Sequence, residues 1–192
     1  MNIHKLKFST ELQPSKGRLL ISEPTLPDKQ FHRSVIYMCG HNEEGSLGFI
    51  LNRKLQDPLS YFIEDVQNAE VPLYVGGPVD LESIHFIHTA GALLGGVHVQ
   101  EDVYFGGDFE QAIDGVRDGS LNEDNIKFFL GYSGWSSGQL EAEIAEKSWL
   151  VSDTPNNLLF SQNVDELWRE AILNLDASYH DLLKMPHDPS LN

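Results

Sequence analysis

Short apolar runs separated by polar turns dominate the first third of the chain. RLLIS (18–22), SVIYMCG (34–40) and SLGFILN (46–52) have the length and the β-branched and aromatic content of strands. The polar, glycine-terminated HNEEG (41–45) separates the last two runs, which predicts an antiparallel hairpin with a loop of about five residues. Two neighbouring strands without a helix between them argue against a purely parallel sheet.

Further apolar runs predict that the middle of the chain is rich in strands. VPLYVGGP (71–78), SIHFIHT (83–89) and IKFFLGY (126–132) each predict one strand. VHVQEDVYFGG (97–107) predicts two short strands or one bent strand, and SWLVSD (148–153) predicts a late one.

Helical periodicity appears between these strands. Asp108 is the predicted N-cap of a helix that Gly119 ends, and the apolar positions between them recur at helical spacing. Asp57 and Pro58 predict a second helix start, as N-cap and first helical residue, and LEAEIAEK (140–147) predicts a third helix. The last predicted helix has an apolar stripe made of Leu167, Trp168, Ala171, Ile172 and Leu175. Helices and strands are interleaved and a hairpin is present, so the predicted class is α+β with a mixed sheet.

Charge narrows the range of partners. The 192 residues predict one domain with one core, and they carry a formal charge of −16 from 29 acidic and 13 basic side chains. Such a surface repels phosphate backbones, and no run of five or more Lys or Arg occurs in the chain. The composition therefore disfavours direct non-specific nucleic-acid binding.

Cysteine usage and hydropathy predict a cytoplasmic location. The single cysteine, Cys39, excludes an internal disulfide, fits a reducing compartment and is expected to be a buried, inert thiol. The N-terminal segment has no apolar stretch of signal-peptide length, and no window approaches the ~20 apolar residues of a membrane span. No membrane partner is predicted.

Gly134 to Gly138 has the G-x-S-x-G spelling of a hydrolase nucleophile elbow, with Ser136 as the candidate nucleophile. A triad also needs an acid and then a histidine after the serine, and Asp153 or Asp165 followed by His180 or His187 supplies that order. An elbow, however, belongs on a central strand of a parallel sheet, which a hairpin-rich chain of this length does not build.

The favoured interpretation of the same segment is a strand-to-helix turn shaped by its glycines. Gly131, Gly134 and Gly138 are expected to allow positive φ or a close backbone approach, while Trp135 anchors the turn in the core. Glu141 and Glu143 are two positions apart on the following helix, so they do not share one substrate oxygen.

Metal and cofactor sites are not predicted. His85 and His88 are three apart on a strand and face opposite sides, and Cys39 and His41 share a face only beside a turn. The glycine pairs of the chain lack the Lys-Ser/Thr of a phosphate-binding loop and the spacing of a dinucleotide fingerprint.

The order of several motifs resembles the AlgH/YqgE family of bacterial proteins, from about Gly17 to Trp168. The matching stretches are GRLLISEPTLPDKQFHRSVIYMC, Gly45, Gly48, Asn52-Arg53, YVGGPV (74–79), FIH (86–88), GYSGW (131–135), GQLE (138–141) and Glu143. The resemblance implies a bifurcated, largely antiparallel sheet that curls into a pseudo-barrel with flanking helices. It implies no established biochemical activity, and it connects the family with regulation of alginate production through genetics. The family pattern leaves position 136 loosely specified, which argues against Ser136 as a nucleophile.

Together these observations predict one domain over 17–185, with a loosely held arm at 1–16 and a tail at 186–192. The predicted function is a non-enzymatic binding or regulatory domain that contacts a protein or small-molecule partner and acts indirectly in transcriptional regulation. The predicted contact residues are the polar and aromatic motif positions: Asn52, Arg53, His88, Trp135, Gln139 and Glu141. The alternative is a small serine hydrolase that uses Ser136, or an enzyme with His88 as its base.

Overall fold

The structure is a computed structural model that describes residues 12–66 and 71–185. Within these ranges nine strands form one sheet. They are β1 (Leu19–Ser22), β2 (Val35–Asn42), β3 (Gly45–Ile50), β4 (Leu73–Val75), β5 (Val79–His88), β6 (Val97–Gln100), β7 (Val103–Phe105), β8 (Ile126–Ser136) and β9 (Trp149–Ser152). The strand order is β6-β7-β5-β8-β3-β2-β1-β9, with β4 paired to β8 off this path. The predicted α+β class is confirmed.

Six α-helices are described within the same ranges, and most are short. They are α1 (Leu59–Phe62), α2 (Gly91–Leu94), α3 (Phe109–Asp118), α4 (Gln139–Ala145), α5 (Asn156–Leu159) and α6 (Leu167–Leu173). Two 3₁₀ helices span Glu64–Val66 and Ala177–Lys184. None of the described helices has the length and apolarity needed to cross a membrane.

The long strand β8 divides the sheet, which confirms the predicted bifurcation. The first part of β8 pairs in parallel with β4 and antiparallel with β5, whereas its last four residues pair antiparallel with β3. Every other strand pair is antiparallel. Strands β6 and β9 end the order without pairing to each other, so the curled sheet is not closed into a barrel.

Side chains rather than strand pairing bring the two ends of the sheet together. Val99 and Val103 of the β6–β7 hairpin share a buried cluster with Leu19 and Tyr37 of β1 and β2. At the same place Lys16 Nζ donates a hydrogen bond of 2.8 Å to the carbonyl of His98. This cluster continues to α6 and the last 3₁₀ helix, and two further clusters lie under α3 and under α4.

The predicted hairpin over 34–52 is confirmed, but its loop is shorter than expected. β2 and β3 pair in antiparallel register down to Asn42 and Gly45, which leaves two residues between the strands. Asn42 Oδ1 accepts hydrogen bonds from the backbone N–H groups of Glu44 (2.8 Å) and Gly45 (3.2 Å). This local side-chain bonding closes a tight turn that the strand pattern alone does not define.

The two predicted helix starts have different outcomes. Asp108 caps α3 by accepting a hydrogen bond from the Gln111 N–H, and Gly119 ends the helix with φ +82°, as predicted. The predicted cap at Asp57 is wrong, because the N-cap of α1 is Pro58 and the helix ends after one turn. Phe62, the last residue of this helix, is 42% exposed, so little burial supports a longer helix.

The described residues begin at 12 and end at 185, so part of the predicted arm at 1–16 and all of the predicted tail at 186–192 lie outside them. Residues 12–16 are described, and Leu12 packs against the cluster under α4.

Candidate functional site

The G-x-S-x-G segment belongs to a strand and the turn that follows it. β8 continues through Ser136, which pairs with Gly45 of the antiparallel β3, and α4 begins at Gln139. Ser136 is exposed, and its backbone N–H donates a 3.0 Å hydrogen bond to Gln139 Oε1. This geometry differs from a nucleophile elbow, where the serine occupies a strained turn after a parallel strand.

The glycines of this segment have two different roles. Gly131 and Gly138 have φ values of +65° and +73°, so both use the left-handed region as expected. Gly134 does not have positive φ; a Cβ there would lie 3.0 Å from Cε2 of Tyr132, so its role is close approach to a ring.

The half-buried carboxylate of Glu143 organises this region, which we call the tryptophan corner (Trp135, Gln139, Glu143 and Trp149). Glu143 Oε2 accepts hydrogen bonds of 2.8 Å from the indole N–H of both Trp135 and Trp149. Glu143 Oε1 accepts a 2.9 Å hydrogen bond from Gln139 Nε2. Trp135 anchors the turn as predicted, and Gln139 links the strand end to the helix.

Glu141 faces the other way and meets the β2–β3 hairpin. Its Oε1 lies 3.6 Å from Nε2 of His41, whose Nδ1 is 2.8 Å from Oγ of Ser46. His41 and Ser46, together with Trp135 and Ser136, line an open depression of about 490 Å³. The two glutamates of α4 thus contact different partners, as their spacing indicates.

The acids and histidines proposed to complete a triad are not among the residues that line this depression. Asp153 lies 3.5 Å from Arg18 Nε, and Asp165 lines a different cavity. His180 is part of the last 3₁₀ helix, and His187 lies outside the described residues.

The contacts of His88 indicate a structural role for this side chain. It is fully buried; its Nδ1 accepts a 3.1 Å hydrogen bond from the Ala90 N–H, so Nε2 is the donor in the 2.8 Å contact with the Gly106 carbonyl. Burial lowers the pKa of His88, which favours the neutral ring. With both ring nitrogens engaged, His88 has no free position for a substrate proton.

A second cavity, of about 270 Å³, gathers most of the arginines of the chain. We call it the arginine cleft, and its lining residues are His32, Arg33, Asn52, Arg53, Val164, Asp165, Glu166, Trp168 and Arg169. Three of the five arginines in the sequence are thus at one place on a strongly acidic protein. Asn52 holds the backbone of this cleft together, since its Oδ1 accepts from the Val35 N–H (3.0 Å) and its Nδ2 donates to the Arg33 carbonyl (2.9 Å).

The arginines of the cleft are held by backbone carbonyls and an aromatic ring. Arg33 lies 4.6 Å above the centre of the Trp168 ring and donates from Nη2 to the Met185 carbonyl at 2.8 Å. Arg53 donates from Nη2 to the His32 carbonyl. Arg169 is 58% exposed, and its Nε lies 4.0 Å from Glu166 Oε2. Burial lowers the pKa of both Arg33 and Arg53, so their charges lie partly out of water.

Lys127 is a buried amine that no pattern in the sequence singles out. It is 4% exposed, and its Nζ donates to the Ser161 carbonyl at 3.3 Å and lies 4.4 Å from the centre of the Tyr74 ring. Burial lowers the pKa of Lys127 to about 8. In the sequence, Lys127 is one residue within the predicted strand of β8, and no neighbouring motif indicates that its amine is buried.

The six predicted contact residues thus fall into three places. Asn52 and Arg53 lie in the arginine cleft, Trp135, Gln139 and Glu141 lie at or beside the tryptophan corner, and His88 is buried away from both. Arg33, Trp168 and Arg169 were not predicted as contact residues, because Arg33 lies far along the chain from the adjacent pair Trp168 and Arg169. Within the described ranges no group of three or more His, Cys, Asp or Glu side chains is placed to hold a metal ion.

Comparison with protein-family models shows the family to which this chain belongs. The model of the AlgH-like family, DUF179, matches residues 19–180. The chain belongs to the AlgH-like family. A UPF0301 protein from Cytophaga hutchinsonii is 38% identical over 180 residues, which cover 93% of this chain and 99% of that one. A UPF0301 protein from Bacteroides fragilis is 37% identical with full coverage of both chains, 100% of each.

Solved structures agree with this AlgH-like assignment. The solution structure of the AlgH protein from Pseudomonas aeruginosa matches with a TM-score of 0.67 and 26% identity, over 92% of this chain and 97% of that one. The crystal structure of protein DIP2367 from Corynebacterium diphtheriae matches with a TM-score of 0.75 and 18% identity, over 90% of this chain and 93% of that one, which shows the fold. These names state no reaction and no ligand, so the comparisons give the family and the fold.

Proposed function

We propose that this AlgH-like protein is a non-enzymatic binding domain whose arginine cleft holds a small oxyanion, either a carboxylate or a phosphate group. The observation that carries the proposal is the gathering of Arg33, Arg53 and Arg169 around one cavity of a chain with a formal charge of −16. Surface charge elsewhere repels anions, so a cluster of this kind offers a selective place for one.

The chemistry of the guanidinium group supports this ligand class. Its planar fork matches the geometry of carboxylate and phosphate oxygens, and charge-assisted hydrogen bonds are stronger than neutral ones. Partial burial of Arg53 makes its charge more costly, and an incoming anion offsets that cost. Asp165 and Glu166 also line the cleft, which favours a single oxyanion over a polyphosphate.

The proposal can be tested by NMR titration with inorganic phosphate and with acetate at constant ionic strength. We expect both probes to shift the indole signal of Trp168 and the side-chain Nε–H signals of Arg53 and Arg169. Arg169→Gln removes a charge that makes only a 4.0 Å ion pair, so it should weaken binding about tenfold without loss of stability.

Arg117→Gln is the matched control, because Arg117 is also an exposed arginine paired with a carboxylate on its own helix. It removes the same charge outside the cleft and should leave both titrations unchanged. Equal weakening by the two variants, or no shift at Trp168 with either probe, would show that the cleft is not an anion site.

The predicted cytoplasmic location and indirect role in transcriptional regulation belong to this proposal. The single cysteine and the likeness to an AlgH protein support them, and the charge of −16 favours a protein or small-molecule partner over direct contact with nucleic acid. A regulatory protein of this type would change its partner affinity when the cleft is occupied.

A serine hydrolase is the second candidate, and Ser46 favours it more than Ser136 does. Beside the open depression, Ser46 Oγ lies 2.8 Å from His41 Nδ1, and His41 Nε2 lies 3.6 Å from Glu141 Oε1. The three side chains thus stand in the order of a nucleophile, a base and an orienting acid. An ester panel on the wild type, Ser46→Ala and Ser136→Ala tests this candidate. Hydrolysis lost in either variant would replace the binding proposal.

A further inference from the structure

A third cavity, of about 260 Å³, lies on the other side of Arg53. Its lining residues are Lys29, Gln30, Ile50, Arg53, Val75, Gly77, Pro78 and Leu81, and we call it the apolar cavity. Arg53 lines both this cavity and the arginine cleft. The half-buried Arg53 is thus common to a charged cavity and an apolar one.

Backbone pairing fixes the walls of the apolar cavity. The Ile50 N–H donates to the Gly76 carbonyl at 2.9 Å, and the Val75 N–H donates to the Arg53 carbonyl at 2.7 Å. The side chains of Ile50 and Val75 are therefore carried by bonded strand backbone beside Arg53. Such a surface is formed before a ligand arrives, which lowers the entropy cost of binding.

The apolar cavity is exposed at its mouth, where Leu81 is 53% exposed and Pro78 is also exposed. A ligand group that covers these side chains removes apolar surface from water, which is favourable in proportion to the area covered. Each cavity alone is smaller than the roughly 300–1,000 Å³ of common ligand sites, whereas the two together fall within that range.

We propose that the ligand of this protein is an amphiphilic oxyanion with a short apolar chain. Its anionic head contacts Arg53 and Arg169 in the arginine cleft, and its chain passes Arg53 and covers Val75, Pro78 and Leu81 in the apolar cavity. This inference rests on the proposed function and adds the second half of the ligand to it. Arg53 is the pivot, because it is the residue that both cavities share.

A homologous series of carboxylates tests the inference: acetate, butyrate, hexanoate and octanoate, each titrated by NMR at constant ionic strength. We expect affinity to rise along the series by about twofold to fourfold for each methylene that becomes covered. Leu81→Ser should remove most of this dependence on chain length and leave acetate binding unchanged. Arg169→Gln should weaken every member of the series by the same factor.

Arg117→Gln, outside both cavities, is again the control for charge, and the series should bind it as it binds the wild type. Lys29→Gln tests the other cation of the apolar cavity; a loss for all four probes in this variant would place the head group at Lys29 and overturn the inference. Affinity that does not depend on chain length, with acetate still bound at the cleft, also overturns the inference and leaves the proposed function intact. No binding of any member contradicts the proposed function itself.

Discussion

The tryptophan corner and the arginine cleft use polar groups in opposite ways. In the corner, two indole N–H groups and one amide converge on Glu143, so the donors and the acceptor satisfy one another within the protein's own side chains. In the cleft, three arginines surround a cavity and are held by carbonyls, by a ring and by one long ion pair. The corner contains the G-x-S-x-G spelling, the most recognisable motif of the chain, whereas the cleft combines the family motif pair Asn52 and Arg53 with residues from distant parts of the chain. A motif therefore marks a demanding piece of structure here, and the candidate ligand site lies elsewhere.

The largest expected effect comes from removing the acceptor at the centre of the corner. Glu143→Ala leaves the indole N–H groups of Trp135 and Trp149 buried, at 6% and 3% exposure, without their shared acceptor. An unsatisfied buried donor costs about 1–3 kcal/mol, so urea denaturation should show a loss of about 3–5 kcal/mol. Glu141→Ala is the control on the same helix and should cost under about 1 kcal/mol, since that side chain is half exposed. Equal losses in the two variants would contradict the description of the corner.

Lys127 extends the comparison to a buried charge that belongs to neither place and is in contact with the Ser161 carbonyl. Its pKa falls from an ordinary 10.5 to about 8 in the folded protein, so between these values the unfolded chain binds more protons than the folded one. The contribution of Lys127 to stability therefore rises with pH across this window, by up to about 3 kcal/mol. From pH 7 to pH 10.5, the unfolding free energy of the wild type should therefore increase by that amount relative to the unfolding free energy of Lys127→Met.

Other buried groups act in the opposite direction at high pH. Burial raises the pKa of the Cys39 thiol, and it raises the pKa of Tyr74 to about 12, so both lower stability as the unfolded chain ionises. Wild type and Lys127→Met share these two groups, and their effects cancel in the difference. Parallel pH profiles of the two proteins would show that the amine is not buried as described.

The third effect separates the two kinds of glycine at the corner. A Cβ on Gly131 would lie 2.6 Å from the Val79 carbonyl oxygen, and φ of +65° already disfavours any side chain there. Gly131→Ala should cost about 2 kcal/mol, from the left-handed backbone and the contact with it. Gly134→Ala is the control, since its nearest neighbour is the Tyr132 ring, which can move. A larger thermal shift for Gly134→Ala than for Gly131→Ala would reverse this assignment.

Local patterns predicted much of what local chemistry decides, with the cap at Asp57 and the length of the hairpin loop as exceptions, and they failed where distant segments meet. The hairpin over 34–52, the cap at Asp108 and the anchoring role of Trp135 follow from residues close to one another in the chain. The arginine cleft joins positions 33, 53 and 169, and no spacing rule connects them before the sheet and α6 are packed. The corner lies between these cases: the sequence indicated a turn, but the second indole on Glu143 comes from β9, which follows α4. Propensity predicts elements, whereas tertiary packing decides which side chains share a site.

The smallest expected effect is at Ser136, the residue that the motif first suggests. Its backbone N–H makes the hydrogen bond to Gln139, and its side chain is exposed. In urea denaturation, Ser136→Ala should therefore change the free energy of unfolding by less than about 0.5 kcal/mol. Gln139→Ala removes the acceptor for that N–H and a donor to Glu143, and should cost about 1 kcal/mol. Comparing the loss of unfolding free energy in the two variants shows whether this segment stabilises the fold through its backbone hydrogen bond or through the Ser136 hydroxyl. A stable Ser136→Ala protein that lost an ester-cleaving activity of the wild type would return the hydroxyl to a catalytic role, because no structural contact of the Ser136 side chain would then account for the loss.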